Sequence, residues 1–381
     1  MTRLPSRPGS RHVLLFAAAM HMVTETALAP FYPALFRAAF GVQDFAATGW
    51  FLALSRVAAV VALPLWGLAA RRGRLSRLVL FGQSAAVVLT GALALAPSFA
   101  VFTAIGMALV AAKSVVLLAH PRVAGAHPAG LTAGVCQYVA VLHGATALAA
   151  VLGAGIVSVP DPMRALPLLA VAEAGLLVAC LVAFRGPVPE AGPGTSSAPS
   201  RVAPLALVVL LFALAGAVVR PFFTEFAAAG GASEPMGALL FVTAHLAALV
   251  AVLRIRAVPR LPGPAALAAA GLLLQAVSGE PALLALGRVV FGAGLGLLQA
   301  GLDHRVLRAV SGSGYGVVAA AQHTGLLFGP VVAAAGARLD LTAPLLAGAG
   351  LFAVLAAAAP ALRSTRTRTP PEVSDVPVLS R

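Results

Sequence analysis

The residues of this chain that could do chemistry are ionisable side chains that interrupt long apolar runs. Glu25, Arg56 and Lys113 each stand among Ala, Val, Leu and Phe, and three histidines do the same. A charged side chain is costly outside water, so each should face an oppositely charged partner or a polar cavity. The ionisable residues in such runs are Glu25, Arg56, Lys113, His143, Arg220, His245, Arg288 and His323.

The Glu25 carboxylate and the Arg56 guanidinium allow two interpretations. They form a permanent ion pair that serves packing, or a pair whose carboxylate takes up a proton and so frees the arginine for another anion. His143, His245 and His323 titrate near neutral pH and could also carry a proton. The alternative for each histidine is a hydrogen-bonded packing residue.

Several other polar residues lie in the same apolar runs. Gln137, Tyr138 and Gln322 are either hydrogen-bonding groups between helices or contacts for a solute. Glu173 is expected to pair with a neighbouring apolar segment rather than to do chemistry. These side chains add polarity to a site but do not define a reaction.

Enzyme chemistry is not indicated anywhere in the sequence. There is no glycine-rich phosphate loop, no Cys/His metal spacing and no nucleophile elbow. Met20-His21-Met22 is the one cluster with metal-binding side chains, but on a helix His21 points to a different face from both methionines. We therefore expect no catalytic residues, no metal and no cofactor.

The composition requires a lipid environment. Hydrophobic residues make up 60% of the chain and charged residues only 10%, with a mean hydropathy of +0.97. Soluble domains carry about 25% charged residues, which this chain cannot supply. The net charge of +14 comes from arginines in short clusters between apolar runs, without a basic domain, so no nucleic-acid partner is expected.

Twelve apolar segments come close to the length of about 20 residues that crosses a bilayer. The ninth is the shortest. Their approximate bounds are 12–33, 46–68, 75–96, 99–119, 130–157, 165–184, 204–226, 235–253, 264–280, 281–303, 313–337 and 342–362. We predict an all-α integral membrane protein with twelve transmembrane helices.

The arginines indicate the orientation. If the N-terminus is cytoplasmic, the outer loops hold only Arg37, Arg164 and Arg338, and the other arginine clusters face inward. The basic N-terminus and first apolar run look like a signal peptide, but the run is long enough to span and Pro30 follows it. We expect an uncleaved, multi-pass protein of the cell inner (cytoplasmic) membrane with both termini cytoplasmic.

The chain divides near its middle into two similar parts. Residues 185–203 are rich in Pro, Gly and Ser, which is typical of a linker. Pro30-Phe31-Tyr32 matches Pro221-Phe222-Phe223 at corresponding places on either side, as an internal repeat would. We predict an N-terminal six-helix half at 1–184, a cytoplasmic linker at 185–203, a C-terminal six-helix half at 204–362, and a disordered cytoplasmic tail at 363–381.

This plan resembles the major facilitator superfamily (MFS) of transporters, and so does one loop. Between spans 2 and 3 the family has roughly Gly-x-Leu-Ala-Asp-Arg-x-Gly-Arg, and this chain has Trp-Gly-Leu-Ala-Ala-Arg-Arg-Gly-Arg from Trp66 to Arg74. The resemblance implies a gating loop on the inner side. Ala70 replaces the aspartate that in the family helps to hold the two halves together. The implied gating residues are Gly67, Arg71, Arg72, Gly73 and Arg74.

The resemblance also implies which residues meet the solute, because spans 1, 4, 7 and 10 line the path in the family and spans 2, 5, 8 and 11 flank it. Proton coupling then falls to Glu25, Arg56, His143 and His245. Solute binding falls to Lys113, Arg220, Arg288, Gln137, Tyr138, Gln322 and His323. Alternatively, Lys113 snorkels to the inner headgroups, and the two arginines anchor the outer interface.

The charges on these implied lining helices favour an anion. If Glu25 neutralises Arg56 and Glu225 caps Arg220, Lys113 and Arg288 still lack acidic partners in the lining and flanking spans. Closing a cavity around unpaired cations would be costly, and a bound anion would offset that cost. We therefore predict an anionic or zwitterionic solute with Lys113 as its main charge partner.

These inferences together predict a proton-coupled secondary active transporter that exports a small anionic or zwitterionic solute by alternating access, with a siderophore-like metabolite as one candidate. The alternatives are an importer of such a solute, a multidrug efflux pump, or a non-transporting membrane receptor or assembly factor. The protein is not expected to be an enzyme. We expect a monomer whose partners are a small-molecule substrate, protons and the lipid bilayer.

The predicted topology can be tested with reporter fusions. A reporter fused after Arg363 should report the cytoplasm, and one inserted near Asp161 should report the outer side, because the arginine clusters hold the loops between them inside. Paired alkaline phosphatase and green fluorescent protein fusions give opposite signals and control for expression. The opposite location at either site would rule out the twelve-span topology.

Overall fold

The fold consists of helices throughout the part of the chain that the computed structural model describes, which is residues 8–72, 75–119, 127, 129–184, 199–255, 257–277, 280–310 and 313–358. The long helices lie at the positions of the predicted spans. They are α1 Pro8–Thr26, α2 Phe45–Arg72, α3 Leu75–Leu93, α4 Phe99–Lys113, α5 Leu131–Val157, α6 Pro167–Ala183, α7 Pro199–Val219, α8 Glu234–Leu253, α9 Pro262–Val277, α10 Pro281–Ala309, α11 Ser313–Leu339 and α12 Ala343–Ala358.

Short helical segments extend or join these helices. Tyr32–Phe40 follows α1, and Phe223–Ala229 follows α7 at the equivalent place. Pro162–Ala165 precedes α6, and a 3₁₀ turn, Ser114–Ala119, extends α4. The paired short helices begin at or beside the repeated Pro-Phe-aromatic sequence, so the sequence repeat and the structural repeat coincide.

Nine helical stretches of the described chain are long and apolar enough to cross a membrane. The helices α9 and α12 have only 16 residues each, and α1 carries His21, Thr24 and Glu25 near its end. The prediction of a multi-pass membrane protein is therefore confirmed. Crossing by α1, α9 and α12 stays a prediction.

The helix contacts repeat after a shift of six helices. In the N-half, α1–α6, the packed pairs are α1 with α5 and α6, α2 with α4, and α3 with α4 and α6. In the C-half, α7–α12, the equivalent pairs all recur: α7 with α11 and α12, α8 with α10, and α9 with α10 and α12. Across the halves, α2 packs on α11 and α5 on α8, which are equivalent under the same shift. The predicted pseudo-symmetric architecture is confirmed.

The bounds predicted for the halves are only partly covered by the described residues. The helix α7 begins at Pro199, within the last residues of the segment predicted as a linker. Residues 185–198 of that segment and the predicted tail, 363–381, lie outside the described residues. The linker and tail boundaries stay predictions.

Glycine allows close helix contacts within each half. At Gly153 in α5 a Cβ would overlap the backbone carbonyl oxygen of Ala27, just beyond the end of α1. At Gly292 in α10 a Cβ would overlap the carbonyl oxygen of Ala244 in α8. Lipid supplies no hydrophobic force between helices, so such close approach is a main source of their attraction.

Gly153 should therefore tolerate no side chain, whereas Gly155 offers a matched control on the same helix, since it is exposed and has open space around a Cβ. We expect Gly153→Leu to lower the free energy of unfolding by at least about 1–3 kcal/mol, the usual cost of overpacking. Thermal unfolding of both variants in detergent measures this. Equal stability of Gly153→Leu and Gly155→Leu would contradict the α1–α5 contact.

Candidate functional site

A cavity of about 270 Å³ lies between the N-half and the C-half. Its walls come mainly from α1, α2 and α5 on one side and α7, α10 and α11 on the other. The helix α4 reaches it only through Val116 in its 3₁₀ extension. The chemistry-bearing side chains on its wall are His21, Glu25, Arg56, Tyr138, His143, Arg220, Gln299, Asp303, Gln322 and His323.

The cavity lies toward the face of the molecule where α1 begins. It extends to Ser76 at the start of α3, Phe184 after α6 and Val318 near the start of α11. With the predicted topology this face is cytoplasmic, so the conformation corresponds to an inward-facing state. The outer ends of the lining helices therefore have to be closed by other contacts.

Contacts between the two short helices close the opposite face. Arg37 Nη2 lies 2.7 Å from Glu225 Oε1, and the Thr224 hydroxyl donates to the backbone oxygen of Pro30. Nearby, Arg338 Nε lies 3.7 Å from Asp44 Oδ1. The expectation that Glu225 caps Arg220 is wrong, because its carboxylate reaches across to the N-half instead.

The Glu25 carboxylate is held by two partners at the cavity. Its Oε1 accepts a hydrogen bond from Arg56 Nη1 at 2.7 Å, and its Oε2 lies 3.0 Å from His21 Nε2. The proximity of Glu25 and Arg56 is therefore confirmed, while their role in coupling stays a prediction. Sequence analysis missed His21 as a partner, although the spacing of four residues on one helix indicates it.

Lys113 lies in a different environment from the one predicted. Its Nζ lies 2.7 Å from Glu173 Oε1 and donates to the Thr24 hydroxyl at 2.6 Å, with both charged side chains at most 4% exposed. Gln83 also donates to the Glu173 carboxylate and to its backbone oxygen. The expected pairing of Glu173 with a neighbouring span is confirmed. Lys113 is therefore paired rather than free, and its contact with the solute stays a prediction.

Arg288 is also absent from the cavity wall described by the structure. It is 2% exposed, and its Nε and Nη2 donate to the backbone oxygens of Leu240 and Phe241 in α8. Its guanidinium stacks on the Phe223 ring at 3.9 Å. Carbonyl acceptors and aromatic faces thus satisfy this cation inside the C-half, and its contact with the solute stays a prediction.

Arg220 is the predicted solute-binding cation that does reach the cavity. It lies directly after α7, on the cavity wall together with Glu25 and Arg56. Among the described residues, no hydrogen-bond or ion-pair partner of Arg220 is found. A guanidinium in this position is available to an anion that enters the cavity.

His143 and His245 form a contact between the halves, and His323 lies on the cavity wall. His143 Nδ1 in α5 lies 3.1 Å from His245 Nδ1 in α8, and both rings are buried. Only one of these two nitrogens can carry the shared proton, since two N–H groups would repel each other. His143 and His323 reach the cavity wall, whereas His245 does not.

The remaining predicted residues divide between the wall and the helix contacts. Tyr138 and Gln322 line the cavity, but Gln137 does not, and both Gln137 and Tyr138 have interaction partners. Solute contact by Gln137 stays a prediction. Tyr138 and Gln322 stay candidates.

The predicted gating loop is only partly visible. Gly67, Arg71 and Arg72 belong to α2, whereas Gly73 and Arg74 lie outside the described residues, as do the side chains of the two arginines in α2. The gating role of this loop stays a prediction.

Besides His21, two polar residues of the cavity wall were not predicted, namely Gln299 and Asp303 in α10. The predicted span ended at Asp303, but the helix continues to Ala309 and so carries the carboxylate away from the helix end. The spacing of four residues, which places both side chains on one helix face, was the available signal.

A polar cavity enclosed by two six-helix halves defines the fold of MFS transporters, so the predicted resemblance is confirmed for the fold. The structure is similar to the human organic anion transporter MFSD10 (TETRAN), with a TM-score of 0.71 and 18% identity over 93% of this chain and 100% of that one. At this identity the likeness concerns the fold alone.

Two further solved structures are similar. The nucleoside transporter NupG has a TM-score of 0.68 and 13% identity over 93% of this chain and 99% of its own. A bacterial homolog of the human lysosomal transporter Spinster, in an inward-facing and occupied conformation, has a TM-score of 0.66 and 13% identity over 96% of this chain and 98% of its own. No protein-family model and no curated protein matches the sequence.

The Lys113–Glu173 pair should behave as a structural pair. We expect Lys113→Met to lower the free energy of unfolding by about 3–5 kcal/mol, because it leaves a buried carboxylate without its cation. The double variant Lys113→Met/Glu173→Gln should recover most of this loss, because Gln83 can still bond the amide. Unfolding in detergent measures both. A stable Lys113→Met variant that binds anions less tightly would instead restore the solute-binding role.

Proposed function

We propose that this protein is a secondary active transporter for small anionic or zwitterionic organic solutes, driven by a proton gradient across the cell inner membrane. The observation that carries the proposal is the Arg220 guanidinium, to which the described residues supply no hydrogen-bond or ion-pair partner, in a cavity between two halves that close at the opposite face. The fold supports alternating access, in which the halves rock about a central site.

Arg220 supports an anionic group on the solute for an energetic reason. While the cavity is open, water can solvate the guanidinium, but closure would remove that water and leave the charge without a partner. A carboxylate can form two parallel hydrogen bonds with a guanidinium and so offset this cost. The similar structure MFSD10 is an organic anion transporter, which agrees with this solute class.

The Glu25 cluster supports coupling between the solute and a proton. Protonation of Glu25 would weaken its contacts with Arg56 and His21, and Arg56 would then add to the positive charge beside Arg220. Proton and anion would bind together in this scheme, which favours uptake with an inward proton gradient. Export, which the family resemblance favours, requires that proton and solute compete for the site.

A lipophilic cation is the second candidate solute, and the Asp303 carboxylate on the cavity wall favours it. The two solute classes make opposite demands on the cavity. Neutralising Arg220 should weaken the binding of an anion but should not weaken the binding of a cation.

Counterflow in proteoliposomes tests the proposal with four radiolabelled probes: benzoate, glutarate, alanine and tetraphenylphosphonium. We expect a carboxylate-bearing probe to exchange. Arg220→Gln should weaken its binding by about 10- to 100-fold, since a hydrogen bond to a charged group contributes about 1.5–3 kcal/mol. Arg220→Lys should keep part of the affinity, because it keeps the charge but loses the bidentate geometry.

Arg164→Gln provides the matched control, because this arginine is 88% exposed and paired locally with Asp161. Its exchange should equal that of the wild type. Unchanged carboxylate affinity in Arg220→Gln, or exchange of tetraphenylphosphonium alone, would contradict the proposed solute class. Comparing imposed inward and outward pH gradients distinguishes uptake from export.

A further inference from the structure

Asp303 has an unusual position among the acidic residues of the long helices. It lies on the wall of the cavity between the halves, on the α10 face that also carries Gln299. The helix continues beyond it to Ala309, so its backbone lies about 9 Å from the helix end at a rise of about 1.5 Å per residue. Within the described ranges, no hydrogen-bond or ion-pair partner of this carboxylate is found.

The other buried or half-buried carboxylates are all occupied. Glu25 contacts Arg56 and His21, Glu173 contacts Lys113 and Gln83, and Glu225 contacts Arg37. A proton would have to displace a cation from each of them. Only at Asp303, among these described carboxylates, can a proton bind without breaking an ion pair.

The charged neighbours of α10 do not neutralise Asp303. Arg288 is held by backbone oxygens of α8, and Arg305 Nη1 donates to the backbone oxygens of Gly301 and Pro259. Arg220 lies at the end of α7 that is far from the face where α1 begins. It reaches the part of the cavity beside Glu25. Other titratable, charged and polar groups lie on α10 itself, on the elements that pack on it, or across the cavity from it. They are Tyr138 and His143 of α5, Arg220 at the end of α7, His245 of α8, Gln275 of α9, His21 and Glu25 of α1, Arg56 of α2, His323 of α11, and His304 and Arg308 of α10.

The fixed charges on the described cavity wall balance before a solute enters. Arg56 and Arg220 are positive, Glu25 and Asp303 are negative, and the histidines are counted as neutral. A bound anion adds one negative charge, which would be costly once the cavity closes and excludes water. One proton on Asp303 restores the balance.

We propose that Asp303 is the proton-carrying carboxylate of this transporter and takes up one proton with each carboxylate-bearing solute. This inference rests on the proposed function, and it assigns to Asp303, rather than to the Glu25 cluster, the proton that the proposed function requires. In the inward-facing state the cavity gives Asp303 access to the solution on the side where α1 begins. Protonated, it crosses the closed state as a neutral group in the same cavity as the solute that Arg220 holds.

Dicyclohexylcarbodiimide, which modifies protonated carboxyl groups in apolar surroundings, tests the assignment without any solute. The full chain in membranes is treated at mildly acidic and at alkaline pH, and the modified peptides are identified by mass spectrometry. We expect an adduct at Asp303 that decreases at alkaline pH, and no comparable adduct at the paired Glu25 and Glu173. No adduct at Asp303, or a dominant adduct at Glu25, would overturn the proposal.

Proton flux gives the functional test, with a pH-sensitive dye inside proteoliposomes and the carboxylate probe that the wild type exchanges. Asp303→Asn should lose probe-driven proton entry while keeping counterflow, because exchange needs no net proton movement. Asp303→Glu should keep proton entry. Glu280→Gln is the matched control, since it removes an exposed carboxylate at the other end of the same helix, and it should behave as the wild type.

Wild-type proton entry in Asp303→Asn would overturn the proposal. Loss of counterflow in Asp303→Asn, in protein whose unfolding temperature matches the wild type, would also overturn it, since Asp303 would then bind the solute itself. Failure of the proposed function is recognised separately, because it removes the Arg220-dependent carboxylate exchange from every variant and leaves the carbodiimide labelling unaffected.

Discussion

Lipid offers an ionised side chain no hydrogen bonds, and this constraint organises the interior of the protein. The interior charges of the described long helices lie beside an opposite charge, among backbone carbonyl groups and aromatic rings, or on the cavity wall. Lys113 illustrates the first solution, Arg288 the second and Arg220 the third. The division separates structural charges from available ones, although the residue types are the same.

The two halves meet through contacts that differ at the two faces. At the face opposite the start of α1, an ion pair between Arg37 and Glu225 joins the short helices. Exposed ion pairs contribute about 0.2–1 kcal/mol, so such a contact is weak enough to be broken during the proposed transport cycle. At the middle of the molecule, the His143–His245 pair joins α5 to α8 and adds a contact that depends on protonation.

The cavity combines this weak closure with a rigid surround. Glycines bring the helices of each half into backbone contact, as Gly153 does with Ala27 and Gly292 with Ala244. Tightly packed halves move as units rather than deform. The solute site therefore depends on side chains from both halves, with Arg56 and Glu25 on one and Arg220 and Asp303 on the other.

Much of the fold could be predicted from the sequence, because apolar length, arginine asymmetry and internal repetition are properties of the chain itself. They determined the membrane environment, the positions of the helices and the two-half plan. The pairing of Glu25 with Arg56 followed from the cost of leaving either charge unpaired in an apolar segment. The partners of the other charges could not be predicted. Lys113 and Glu173 are 60 residues apart, His143 and His245 are 102 apart, and Arg37 and Glu225 are 188 apart.

Only the tertiary structure could decide among such partners. Several cations and carboxylates lie at similar depths along their helices, and rotation and packing of each helix determine which of them meet. A small rotation of α4 would decide whether Lys113 faces a solute or the Glu173 carboxylate of α6. The continuation of α10 beyond Asp303 likewise turns a residue at the predicted helix end into one on the cavity wall. The sequence by itself determined which charges needed a partner, and the packing of the helices decided which of them received one.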